Sequence, residues 1–151
     1  MIQQQNPVGT EPAVTDPRLE HWARQARHFE TRVHFNQYIG LRVERWDDKE
    51  VIMRLPHATN LCNSTDGIHG GVVGALCDTC GTAASLAAVG ADGFIATVSM
   101  NISYLASATT DLTATAVCIK PGKRIQVSEV RVRDANGILV AEAIVTSMIP
   151  S

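Results

Sequence analysis

The chain has no surplus of either charge. Its 13 lysines and arginines meet 15 aspartates and glutamates, a formal net charge of −2. That balance removes the bulk electrostatic case for a nucleic-acid or anionic-membrane partner. Charged residues are also scarce, at 19%, as in a small domain that hides part of its surface by oligomerising. No apolar run approaches the roughly 20 residues of a membrane span. Residues 1–11 have neither a basic stretch nor an apolar one. They do not read as a secretory signal, and the expected location is cytoplasmic. The four cysteines follow no regular spacing, which argues against a disulfide framework. There is no internal repeat and no low-complexity segment. At 151 residues the chain reads as one domain able to bury a real core.

Residues 1–17, with Gln3-Gln4-Gln5, Pro7, Pro12 and Pro17, read as a flexible arm before a domain over 18–151. Asp16 can cap a helix with Pro17 at its first position. Leu19, Trp22, Ala26, Phe29 and Val33 then recur at helical spacing, interleaved with Arg18, Arg24, Arg27 and Arg32. This predicts a packing helix with a solvated basic face. Alternation over 41–55 around Asp47-Asp48-Lys49 predicts a hairpin stopped by Pro56. From Gly70 to Ala88 nearly every residue is small or apolar, which predicts a buried helix closed by Gly90 and Gly93. Four strands follow, over 95–105, 112–119, 124–133 and 138–149, the last two joined by Asp134-Ala135-Asn136-Gly137. They read as an antiparallel meander. The fold class is α+β: one sheet wraps one apolar helix, and curvature or a second copy covers the rest.

The chemistry concentrates in Gly67-Ile68-His69-Gly70-Gly71 and in Asp78, nine residues after the histidine. A helix start offers unpaired N–H groups to a developing negative charge, and glycine lets a substrate approach. An acid in a buried apolar helix is costly unless it has a task. Acyl chemistry needs both an attacking oxygen and an oxyanion site. His69 and Asp78 lie about 13 Å apart along a straight helix. If both act, the site must join the loop of one subunit to the acid of another, and an isolated monomer is expected to be inactive. Cys77-Asp78-Thr79-Cys80 is a C-x-x-C, but it sits two turns into the helix and no second pair exists to complete a zinc site. Buried small residues account for it better than redox or metal chemistry.

The pattern resembles the hot-dog fold, and within it the acyl-CoA thioesterases of the phenylacetate-degradation (PaaI-like) type. The resemblance rests on Asn63, Gly67-Ile68-His69-Gly70-Gly71, Leu76-Cys77-Asp78-Thr79, the run Thr97 to Leu105, Gly122-Lys123-Arg124, and the run Asp134 to Ala141. It covers about residues 38–149. Two departures are visible: Gly67 lies two residues before the histidine rather than three, and Cys77 precedes the acid where an aliphatic residue is usual. The resemblance implies a curved sheet around one long helix and a homodimer, often paired into a tetramer. It implies acyl-CoA hydrolysis without metal or organic cofactor, coenzyme A being part of the substrate. Asp78 would be nucleophile or general base, and the amide of Gly70 or Gly71 would polarise the carbonyl. Asn63 and His69 would orient substrate or water, and Thr97 would supply a hydroxyl that positions the attacking water. Lys123 and Arg124 suit the phosphates of coenzyme A, or else form a plain polar hairpin tip. The walls of the acyl site are expected from the 70–88 helix, the Val98–Tyr104 strand and the N-terminal helix with Trp22 and Phe29.

Plainer roles stand beside these: Asp78 as a structural acid, His69 as a cap, Asn63 as a turn residue in competition with Asn60, and Thr97 as an ordinary strand residue. Two other functions share the scaffold, an acyl-thioester hydratase or dehydratase and a non-catalytic acyl-CoA binding module.

Overall fold

The computed structural model describes residues 16–150, so residues 1–15 of the expected arm lie outside the described residues. Asp16 and Pro17 belong to the first helix and not to an arm. Helix α1 spans Pro17–Thr31, and the Asp16 carboxylate accepts from the N–H of Arg18 at 3.0 Å. This satisfies one of the donors that a helix start leaves unpaired. Trp22, Ala26 and Phe29 pack against the core, whereas Leu19 is 57% exposed. A second helix, α2 over His34–Ile39, was not expected. It turns on Gly40, whose φ of +75° suits a residue without a Cβ. Asn36 ties it in, donating from Nδ2 to the Phe29 carbonyl at 2.9 Å.

The expected hairpin is β1, Arg42–Trp46, and β2, Val51–Leu55. The four later strands are β3, Ala96–Tyr104; β4, Leu112–Pro121; β5, Ile125–Asp134; and β6, Leu139–Met148. They form one antiparallel sheet of six strands in the order β1-β2-β4-β5-β6-β3. The meander expectation therefore holds for β4 to β6 and fails for β3, which pairs with β6 at the far edge. Residues 105–111 make the crossing. Three strand spacings amount to about 14 Å, and seven extended residues reach about 23 Å, so the link is long enough to pass over the sheet end.

Helix α3, Gly70–Val89, lies across one face of the sheet and touches every strand from β2 to β6. Leu76, Cys77, Cys80, Ala83, Ala84 and Leu86 meet Met53, Leu55, Ala114, Val130, Val132 and Val145 in one buried core. Small residues set the closeness of this contact. A Cβ on Gly81 would stand 2.7 Å from Cγ2 of Val145. One sequence expectation needs correction here. With 20 residues and a mean hydropathy of 1.5 over its most apolar stretch, α3 is long and apolar enough to cross a membrane. Glycines, threonines and Asp78 interrupt the apolar run within it. Two thirds of the most apolar stretch is buried within the protein. The helix is also not sealed all round: Val72, Ala75, Asp78 and Thr79 are only half-buried.

Candidate active site

Asp78 projects from the middle of α3 toward the start of β3. There the hydroxyl of Thr97 donates to Asp78 Oδ1 at 2.6 Å. A β-bulge makes this meeting possible. Thr97 pairs with Ser147 and Ser99 with Thr146, leaving Val98 as the extra residue. Ser147 faces the helix, since its Oγ donates to Ser85 of α3 at 3.0 Å. Thr97, opposite it, shares that face. Beyond the bulge Met100 lies opposite the buried Val145 and also faces the helix. The inserted residue thus re-aims Thr97 from the solvent side to the helix side. Thr97 was expected to be either a functional hydroxyl or a plain strand residue, and the structure places its hydroxyl on the carboxylate.

A cavity of about 700 Å³ opens beside this pair. It follows α3 past Thr79 and Thr82 to Leu86, about 12 Å of helix, and is walled by Phe29 and Val33 on one side and Phe94 and Ile95 on the other. Arg24, Gln25, His28, Asn36 and Asp92 also line it; its aromatic and aliphatic portion suits an acyl chain. Phe29 lines it as expected. Trp22 does not; its ring faces the Arg18 guanidinium, 5.9 Å from the centroid. The Val98–Tyr104 stretch is likewise absent from these walls. Sequence reasoning missed Asn36, whose Oδ1 accepts from the Thr79 hydroxyl at 3.4 Å and fixes the helix corner beside Asp78. No local motif marks it, because its role depends on where α2 docks.

The other expected residues gather at the start of α3. His69 is the cap: its Nδ1 accepts from the Gly71 N–H at 2.9 Å. Of the two glycine amides considered for the oxyanion, Gly71's is therefore taken by the ring. Gly70's N–H has no hydrogen bond among the described residues. Asn63 Oδ1 accepts from both the N–H and the hydroxyl of Thr65 at 2.8 Å. This is an Asx-type turn, and it leaves the amide Nδ2 without a partner among the described residues. Asn63, Gly67, Gly70 and Tyr104 line a second cavity of about 430 Å³, which shares no residue with the first. The phenol of Tyr104 donates to the Gly70 carbonyl at 3.0 Å.

Lys123 and Arg124 are exposed at the β4–β5 turn. The register aligns Thr97 with Ser147, and Ser147 with Gln126, so this turn lies at the same end of the sheet as Thr97. Burial pushes the Cys77 thiol up to about 12, with the Asp78 charge adding to it. Cys80 is pushed up as well, by burial first. Neither is a thiolate at neutral pH, which speaks against the redox reading.

A family model described as the thioesterase superfamily matches residues 67–141, from the glycine before the α3 cap to the start of β6. Over that stretch, just under half of its length, the chain is similar to the thioesterase superfamily, and its fold is the hot-dog fold. It is similar to a candidate esterase of Halobacterium salinarum, 35% identical over 102 residues, which take in 63% of this chain and 66% of that relative. The match thus spans just under two thirds of the curated relative's length. Among solved structures, a Shewanella oneidensis protein related to the thioesterase superfamily superposes with a TM-score of 0.83 at 23% identity, over 89% of this chain and 98% of the other. AziG of S. sahachiroi superposes with a TM-score of 0.70 at 30% identity, over 76% of this chain and 94% of the other.

Proposed function

We propose that the protein is a PaaI-like acyl-CoA thioesterase that hydrolyses a small to medium or aromatic acyl-CoA in the cytoplasm, as a homodimer or a pair of dimers. The observation that carries this is the Thr97–Asp78 pair, at 2.6 Å, opening on the 700 Å³ cavity. In the reading we favour, Asp78 takes a proton from water as the water oxygen attacks the thioester carbon; direct attack by the carboxylate is the variant. The oxyanion accepts from Gly70 N–H at the helix start. Collapse breaks the C–S bond, and the departing coenzyme A sulfur takes the proton. His69 and Asn63 orient the thioester, and Lys123 and Arg124 meet the phosphates. The reaction as written needs no metal or organic cofactor.

Gly70 and Asp78 are about 12 Å apart along α3, and they line separate cavities. One carbonyl cannot meet both from one chain. Pairing of two β3 strands would bring the Asp78 of one subunit to the Gly70 of the other. In support, β3 is an edge strand with Val98, Met100 and Tyr104 exposed by 57%, 37% and 54%. An edge of that kind favours a partner strand.

The test is thiol release from short-chain, long-chain and aryl acyl-CoAs, run on wild type and Asp78→Ala together. Hydrolysis by wild type and none by the variant is expected. Robust hydrolysis by Asp78→Ala would sink the mechanism. Mass analysis separates hydrolysis, which frees coenzyme A, from hydration, which leaves the thioester intact, and binding without turnover would leave a non-catalytic module.

A further inference from the structure

Tyr104 has no part in the chemistry assigned above, yet it is wired into the start of α3. Its hydroxyl donates to the Gly70 carbonyl at 3.0 Å. The same peptide unit carries the Gly71 N–H, which donates to His69 Nδ1 at 2.9 Å. The hydrogen bonds run in one direction, from the Tyr104 O–H to the Gly70 C=O, and from the Gly71 N–H to the imidazole. Such a chain polarises itself, each bond strengthening the next. Because Nδ1 accepts, a neutral His69 ring must carry its proton on Nε2, and the exposed ring then presents an N–H outward.

The preceding peptide is held through the His69 carbonyl, which accepts from the N–H groups of Val72 at 2.9 Å and Val73 at 3.2 Å; the Gly70–Gly71 peptide that follows is the softer unit. Two successive glycines begin the helix, and glycine loses more freedom on ordering than any other residue. First-turn amides have no helical acceptors. Tyr104 supplies a lateral hold. A Cβ built on Gly70 would lie 3.5 Å from the tyrosine ring, and one on Gly74 would lie 3.3 Å from its hydroxyl. The bare stripe of Gly70 and Gly74 is what allows the phenol to lie against the helix.

We infer that Tyr104 is a positioning residue for the thioester site, acting through the Gly70–Gly71 peptide to aim the free Gly70 amide and to fix His69 as its Nε2–H tautomer. It touches no reacting atom. The inference deepens the thioesterase reading and rests on it for its kinetic half.

The test joins two readouts on the full-length protein. Steady-state acyl-CoA hydrolysis gives kcat and KM, and long-range proton–nitrogen NMR of the histidines at mildly alkaline pH reports the His69 tautomer. Wild type should show a single Nε2–H tautomer. Tyr104→Phe keeps the ring against the helix and removes only the donor. It should lower kcat about fivefold or more with KM within about twofold, and the tautomers should become mixed. Gly74→Ala, which presses on the hydroxyl without altering it, should move both readouts in the same direction. Thermal melting shows whether each variant is folded. If Tyr104→Phe keeps both kcat and tautomer, or moves only one of them, the inference is overturned. If it only lowers the melting temperature, or only raises KM, it is overturned as well. A wild type that hydrolyses nothing defeats the thioesterase reading, while the tautomer still reports on the chain from Tyr104.

Discussion

Replacing Thr97 by valine asks whether the bulge in β3 serves Asp78. The substitution keeps size and β-branching and removes one hydroxyl, the donor to Asp78 Oδ1 at 2.6 Å. A hydrogen bond to a charged group contributes about 1.5–3 kcal/mol, and about 1.4 kcal/mol is tenfold in rate. Full expression of that loss in the transition state would slow hydrolysis by about 10- to 150-fold. Thr97 is exposed and Asp78 half-buried in a single chain. Water can replace part of the bond, which puts the expected fall in kcat at about 10- to 30-fold. KM should hold within about twofold, since the hydroxyl lies on the carboxylate and not on the acyl chain. Thr97→Ser should stay within about threefold of wild type, because serine offers the same donor. The assay is thiol release under saturating acyl-CoA, with a thermal melt to show that the edge strand is intact. A Thr97→Val protein that works at the wild-type rate or faster would refute the idea that this hydroxyl holds the carboxylate in its working position.

Met100→Lys places a charge on the exposed edge strand, where a second copy would bring a like charge close; light scattering should show a shift toward monomer, and hydrolysis should fall with it. Monomers that retain full activity would defeat the shared-site geometry. Gly81→Ala forces a Cβ to within 2.7 Å of the stiff Val145 side chain; overpacking of this kind costs about 1–3 kcal/mol, and the helix gains about 1 kcal/mol from alanine. A net loss of up to about 2 kcal/mol should lower the melting temperature by as much as about 8 °C, and no change would show that the helix can lift off the sheet freely. Cys77, with its thiol pushed up to about 12, and the fully buried Cys80 should resist alkylation in the native protein at neutral pH; mass mapping should find label there only after unfolding.

How legible the protein was depends on how local each feature is. The long elements came through because their patterns lie within one segment: the apolar stretch 70–88 is α3 at Gly70–Val89, and the strand expected over 95–105 is β3 at Ala96–Tyr104. The six residues of α2 are too few to show a period. The place of β3 beside β6 is a non-local pairing that alternation does not encode. Strict alternation would put Thr97 and Met100 on opposite faces, and only the bulge at Val98 brings both to the helix. Asp78, His69 and Gly70 were readable as chemistry. What was hidden was the division of labour between the glycines, which depends on the His69 ring folding back onto Gly71.

The composition of α3 and the split site follow from one constraint. To lie against five strands the helix needs small side chains, as the Gly81–Val145 contact shows. Small side chains on the sheet side leave no bulk to shield the opposite side, where Val72, Ala75, Asp78 and Thr79 remain half-open. An acid on that open stripe keeps its contact with solvent and can meet Thr97 without a full desolvation cost. The same smallness at Gly70 and Gly74 admits Tyr104 at the helix start. One straight helix therefore carries its N-terminal amide and a carboxylate about 12 Å apart, too far to meet one carbonyl. Within this geometry, two copies are the simplest way to bring both to one carbonyl, so the packing demand that shapes the core also makes a second chain part of the proposed site.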